Sequence, residues 1–412
     1  MKNKKIITIL VVLVFLVGGI FLINNINQNK NKINKTKRRK QNNLAIMIKE
    51  EGASDYTKSS SKDIPIGNYT LNREKSYCKN NGVIGNYDST LGKVSFSFIG
   101  TDSCYLYFDY EIPLIEITTL MTPNDTDIFK ENGIRYEGAD PNNYICLDNK
   151  TEGACSDSSL LFRIIGLFDE DTSSDGTNSS GTKKLLKVID TNNYGGTSGK
   201  YWNSAGKNNW STASLKTELN VTYLTTLLGT SNVNSKLSSA IENTKWHLGG
   251  ANSANYSTLT ADGIYTEERN TSAIYSDNPN SIYAKIGLMY PSDYGYATVG
   301  GTTTNKSSCR AKELYNWNNS SYSDCKNNNW LYTSQVTSWG ANKSEWLLSP
   351  YSSSSNIAAH LLSTGYVRFS GSVRNGVDNN QFAVRPTFYL DSSVLKIVGR
   401  GNGTKDNAYH IG

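Results

Sequence analysis

Six cysteines are the residues best placed to do chemistry in this 412-residue chain. They fall as three local pairs, Cys78 with Cys104, Cys146 with Cys155, and Cys309 with Cys325, and none makes a C-x-x-C motif. That spacing disfavours tetrahedral zinc and dithiol exchange, and an even count at hairpin-like separations fits disulfides formed in an oxidising compartment. Three histidines, His247, His360 and His410, are too few and too dispersed for a histidine metal site or proton relay. Neither G-x-S-x-G, H-E-x-x-H nor L-P-x-T-G occurs. The run Gly176–Lys183 misses the phosphate-loop pattern because Thr182 stands where the lysine must follow the second glycine. Asp169, Asp171 and Asp175 miss the one-three-five spacing of a calcium loop, so Ca²⁺ has no motif here, and neither cofactor nor metal is expected. Glu267 and Glu268 are adjacent and therefore point to different faces of any regular element. Nothing in this set supports an enzyme.

The aromatic residues carry a different signal. Tyr294, Tyr296, Tyr315, Trp317, Tyr322 and Tyr332 alternate with Asn, Ser and Gly in the last third of the chain. Tyr, Asn, Ser and Gly make adaptable contacts at low entropic cost, and aromatic faces stack on sugar rings, so these six are the candidate ligand-binding residues. The competing reading makes them core and strand filler of an aromatic-rich β fold.

The elements that must position such residues begin at a membrane. Ile6 to Ile23 is an uncharged run of 18 residues, about 27 Å as a helix, and it lacks a small-x-small cleavage site. It reads as an uncleaved signal anchor over 1–29 with a transmembrane helix at 6–23. Basic residues flank the run on both sides and outnumber on its C-terminal side, which argues for that side inside. The paired cysteines argue for a body outside, and that single-pass topology, extracellular C-terminal body included, is the one expected. Ten of the 42 Lys/Arg lie in residues 1–40, leaving 32 bases against 36 acids beyond them. A body of net charge −4 offers no dense basic surface, so nucleic acid is not an expected partner.

Beyond the anchor, 30–64 reads as a basic flexible tether and 65–112 as a small β module. In that module Val94/Phe96/Phe98 and Tyr105/Tyr107 alternate with period two. Residues 113–131 read as a linker and 132–412 as one large α+β domain. Strands are predicted at 160–166, 185–189, 286–289, 346–348, 366–369, 382–384 and 387–390. Leu215, Leu219, Tyr223 and Leu227 fall on one face of a helix predicted over 214–228, with a weaker helical pattern over 235–245.

Five ordered phrases of the large domain carry a resemblance. They are Arg163-Ile164-Ile165-Gly166, the segment Asn209–Leu215, the segment Ile286–Tyr296, Trp346-Leu347-Leu348-Ser349-Pro350, and Val384-Arg385-Pro386. With the ending Gly401–Tyr409, they resemble an uncharacterised family of membrane-anchored extracellular surface proteins of Gram-positive-type gut bacteria. More distantly, Trp346, Gly365 and Val384-Arg385-Pro386 are similar to the core of C-type-lectin-like folds, including the formylglycine-generating-enzyme type; Ala383 stands where that pattern usually has Gly. The resemblance implies a buried scaffold role for the arginine, with ligands met by loops beside it. Arg163, Trp346 and Arg385 are accordingly expected in the structural core, with Asp293 and Glu345 as candidate acid partners of Arg385. The function expected is non-catalytic binding of an extracellular glycan or protein; an envelope enzyme and a purely structural protein are the alternatives.

Overall fold

The computed structural model describes residues 42–50, 53–98, 100–110, 114–122, 127–332, 344–372 and 381–412. The expected transmembrane helix at 6–23 lies outside the described residues, and among those that are described no helix is long and apolar enough to cross a membrane. The chain divides into two units, Met1–Ile112 and Pro113–Gly412.

In the first unit, alternation in Asn-Leu-Ala-Ile-Met-Ile-Lys produces a strand, β1 (Asn43–Lys49), inside the stretch expected to be tether. It pairs in parallel with β7 (Ser103–Tyr110) along its whole length, from Asn43 opposite Ser103 to Lys49 opposite Asp109. Ile46 is thereby buried with Leu106 and Phe108 in a small core of its own. The strands β2 (Thr57–Lys58), β3 (Tyr69–Leu71) and β4 (Tyr77–Cys78) complete this sheet, while β5 (Val83–Asp88) and β6 (Lys93–Ser97) form a separate hairpin. A core this small gains from the Cys78–Cys104 disulfide, which joins directly paired residues of β4 and β7. Closing a loop of that length contributes about 3 kcal/mol by restricting the unfolded chain.

The second unit mixes helix and sheet and is mostly sheet. Its strands are β8 (Leu114–Glu116), β9 (Ile128–Lys130), β10 (Ile134–Tyr136), β11 (Tyr144–Cys146), β12 (Leu161–Thr172), β13 (Gly181–Asp190), β14 (Thr244–His247), β15 (Ser281–Ala284), β16 (Ile286–Leu288), β17 (Ser344–Pro350), β18 (Ile357–Leu362), β19 (Val367–Ser372), β20 (Pro386–Asp391), β21 (Lys396–Val398) and β22 (Tyr409–Ile411). The expected linker 113–131 therefore contributes β8 and β9 to the main sheet, whose path runs β16-β20-β13-β12-β11-β22-β21-β8. The long strand β12 is its spine. One edge pairs with β13, and the other is shared by β10, β11 and β14. The absence of a side chain at Gly166 lets β10 approach so closely that a Cβ there would stand 2.4 Å from the Ile134 carbonyl oxygen. Pro386 opens β20 without marking an edge: that strand lies between β13 and β16, and proline is tolerated because it is the first residue.

The helix over 214–228 forms as the apolar spacing predicts, with a π turn at Leu219–Tyr223, and Leu215, Leu219, Tyr223 and Leu227 are buried. The second helical pattern shrinks to Leu237–Ala240, because Ile241 bridges to Leu390 and Thr244 already belongs to β14. The other two disulfides, Cys146–Cys155 and Cys309–Cys325, pair as the spacing predicts.

Candidate functional site

Register carries two arginines of the familiar phrases to one place. Tyr144, Arg163, Ile189 and Thr387 are direct partners across β11, β12, β13 and β20, so their side chains share one face of the sheet. Arg385 precedes Thr387 by two residues. These residues open into a cavity of about 340 Å³, whose lining includes Tyr144, Arg163, Asp190, Asn192, Trp330 and Arg385.

Each arginine is held firmly and incompletely. Arg163 donates from Nε to Asn143 Oδ1 at 2.7 Å and from Nη2 to Asp140 Oδ1 at 2.9 Å and the Pro141 carbonyl at 3.0 Å. Its guanidinium stacks between the rings of Tyr144 (4.3 Å) and Trp330 (4.7 Å). Arg385 grips Glu345 in a fork, Nε to Oε1 at 2.7 Å and Nη2 to Oε2 at 2.8 Å, and donates to the Leu331 carbonyl at 2.7 Å. In both guanidiniums Nη1 has no hydrogen-bond partner among the described residues. Burial pushes Arg163 below the ordinary arginine value, and the charge of Arg385 pushes the same way.

Asp190, at the end of β13, supplies the acid of the cavity. It accepts from the Asn192 amide and from the Tyr223 hydroxyl, both at 2.8 Å, and burial pushes its carboxyl up to about 6. Trp330 is fixed by donating from Nε1 to the Tyr136 carbonyl at 3.1 Å, and Tyr332 by donating to the Ser363 carbonyl at 2.5 Å. Lys405 stands exposed in the lining.

Of the six aromatic candidates, only Tyr332 lines this cavity. Tyr294, Tyr296 and Trp317 are buried, Tyr294 donating to the Gly365 carbonyl at 2.8 Å and packing its ring 5.3 Å from that of Trp317. They are core residues and cannot contact an external ligand without unfolding the region. Tyr315 is half-buried edge-on against Tyr256 and Tyr366, and Tyr322 lies half-buried under Lys312. The three residues expected in the core, Arg163, Trp346 and Arg385, are indeed buried. Glu345 is the acid partner of Arg385; Asp293 instead bridges Arg135 and Lys187. Sequence reasoning missed Asp190, Asn192 and Tyr144. The signal available was the polar run Asp190-Thr191-Asn192-Asn193 directly after an apolar strand, which marks the end of a sheet.

The residues weighed for metal chemistry are engaged elsewhere. Asp175 caps its own turn through the Thr177 and Asn178 amides, Asp171 accepts from Ser179 and Tyr283, and Asp169 pairs with Lys184. Among the described residues two groups have metal-like proximity, Cys78/Asp102/Cys104 and Cys146/Asp148/His410, but in both the sulfurs are bound in disulfides. His410 spends its ring nitrogens on Asp148 and the Gly153 carbonyl. Burial lowers His247 to about 4 and His360 to about 3, and no histidine lines the cavity.

No protein-family model matches the chain, no curated protein matches it significantly, and no solved structure does either.

Proposed function

We propose that this is a membrane-anchored surface protein whose C-terminal unit binds an extracellular ligand, glycan or protein, in the Arg163–Arg385 cavity without transforming it. One observation carries the reading: two buried arginines line a cavity of ligand size, and among the described residues the Nη1 of each has no hydrogen-bond partner. A donor fixed in that way exchanges its water for a ligand acceptor at little entropic cost, because the surrounding hydrogen bonds have already set its orientation. Tyr144 and Tyr332, both half-buried, supply aromatic surface beside those arginines. The apolar run at 6–23 and the three disulfides support the anchored, extracytoplasmic setting. A C-type-lectin-like architecture for the second unit is part of the same proposal, and the buried Arg385–Glu345 pair supports it, since a scaffold role for that arginine is what the resemblance implies.

Asp190 favours a second reading. A carboxyl held at about 6 beside two guanidiniums is poised for proton transfer, as an enzyme of wall or capsule polymers would require. Binding is preferred because the described lining offers Asp190 no second carboxyl, histidine or cysteine to complete the chemistry. Glycan-array and cell-adhesion assays on the full chain test the proposal. Saturable binding without turnover of the bound glycan is expected, and a folded chain silent in both assays overturns it.

A further inference from the structure

We infer that the ligand of this cavity bears a carboxylate, received at the Nη1 groups of Arg163 and Arg385, with its body against Tyr144 and Tyr332 and its polar groups toward Asn192. The inference rests on the binding reading above and adds the chemical class of the ligand.

Charge and geometry lead to it. The two arginine side chains are at least about nine-tenths buried, and their partners fix them in place: Asn143 and the Pro141 carbonyl for Arg163, Glu345 and the Leu331 carbonyl for Arg385. A planar cation whose other nitrogens are already spent presents its last N–H in a set direction, and a carboxylate oxygen is the acceptor that makes the strongest hydrogen bond with it. Lys405 adds a third cation to the same lining.

The compensation behind the arginines limits the charge of the ligand. Glu345 neutralises Arg385, Asp140 faces Arg163, and Asp190 offsets Lys405 in the lining, so three cations meet three carboxylates and the site tolerates an anion of one charge at most. A phosphate dianion would meet Asp190 with an excess of like charge. A volume of about 340 Å³ holds one sugar ring or two small residues of a peptide. An acidic sugar and the C-terminus of a peptide both offer the required group.

Calorimetric titration of the full chain with four probes tests this, with the Trp330 indole NMR signal as the reporter of the cavity. The probes are glucuronate and glucose, then N-acetylglycylglycine and its amide. One acid is expected to bind at least about ten-fold more tightly than its neutral counterpart and to move the Trp330 signal. The pair showing that preference identifies sugar or peptide as the source. Lys405→Ala, an exposed change that leaves both arginine clamps intact, is expected to weaken the acid about three- to ten-fold with the melting temperature unchanged. Equal affinity for an acid and its neutral counterpart, with Trp330 responding, overturns the carboxylate and leaves the cavity as the binding site. No response to any of the four overturns the carboxylate as well. A glycan that binds the chain while Trp330 stays still overturns the cavity itself.

Discussion

Two regions of the second unit bury charge, and they treat it differently. Around Asp293 every charge is closed off. Arg135 uses all three of its nitrogens, giving Nη1 to Asp293 at 2.9 Å, Nε to the Glu131 carbonyl and Nη2 to the Asn132 carbonyl, both at 3.1 Å. Lys187 reaches the other Asp293 oxygen at 2.6 Å, with the rings of Tyr290, Tyr389 and Trp246 within 5.4 Å of its ammonium. Burial alone would raise Asp293, but Lys187 and Arg135 outweigh it and hold the carboxyl at about 2. The same Asp293 accepts from the Tyr290 amide at 2.9 Å and so caps the helix Pro291–Tyr296. Arg163 and Arg385, by contrast, use two nitrogens each, have no partner for the third among the described residues, and line a cavity. A fully spent arginine is a structural member, whereas one with an unspent donor on a cavity wall can serve the scaffold and still meet a ligand.

Substitutions sharpen that contrast, beginning with the largest effect. Asp293→Ala leaves two cations buried without their acid and is expected to lose about 4–5 kcal/mol by chemical denaturation. A loss under 1 kcal/mol would mean the network is not closed. Arg385→Ala abandons only Glu345 and is expected to cost about 3 kcal/mol, since water from the cavity can reach part of the vacated space. Melting of the two variants side by side should keep that order.

Glu268 gives a pH-dependent test of the closed region. It accepts from the Ser292 amide at 2.9 Å and the Ser292 hydroxyl at 2.5 Å, and burial pushes its carboxyl up from 4.5 to about 7. The folded state therefore holds this proton more tightly than the unfolded state does. The resulting stabilisation is complete below pH 4.5 and is lost as pH rises through about 7, a change of about 3 kcal/mol. Glu268→Gln cannot ionise, so the difference between its stability and that of the parent should swing by that amount across the window. A constant difference contradicts the assignment. Asp190→Asn should remove a smaller slope of the same sign between 3.8 and about 6.

How much of this was legible in the sequence depended on the range of the interaction. Local features were readable: cysteines 26, 9 and 16 residues apart pair with each other, and the i, i+4 apolar face over 214–228 becomes one buried helix face. Arg385 was readable as a buried cation, because a guanidinium among aromatics must find an acid, and Glu345 is that acid. Asp293 pairs instead with Arg135, 158 positions away, and Lys187, 106 positions away, separations across which one sequence carries no pairing signal. Tyrosines posed the reverse difficulty. The polar neighbours of Tyr294 and Tyr296 suggested exposed loops, yet a buried carbonyl receives the Tyr294 hydroxyl, and the Tyr296 ring is buried while its hydroxyl meets the exposed Asn132 and Asp262 side chains. The strand β1 was hidden by its flanks: the alternation of Leu44, Ile46 and Ile48 is regular but sits between charged, polar stretches that outweighed it.

The central claim is that the Arg163–Arg385 cavity receives a ligand, and Ala139→Trp tests it most directly. Ala139 is exposed in the cavity lining, so an indole there fills the space without breaking either arginine's clamp. The full chain and the variant would be compared on the same glycan array and in the same adhesion assay, with melting curves recorded in parallel. The account predicts a stability change of no more than about 0.5 kcal/mol together with loss of whatever ligand the parent binds. A variant that melts like the parent and binds the same ligand undiminished would contradict it.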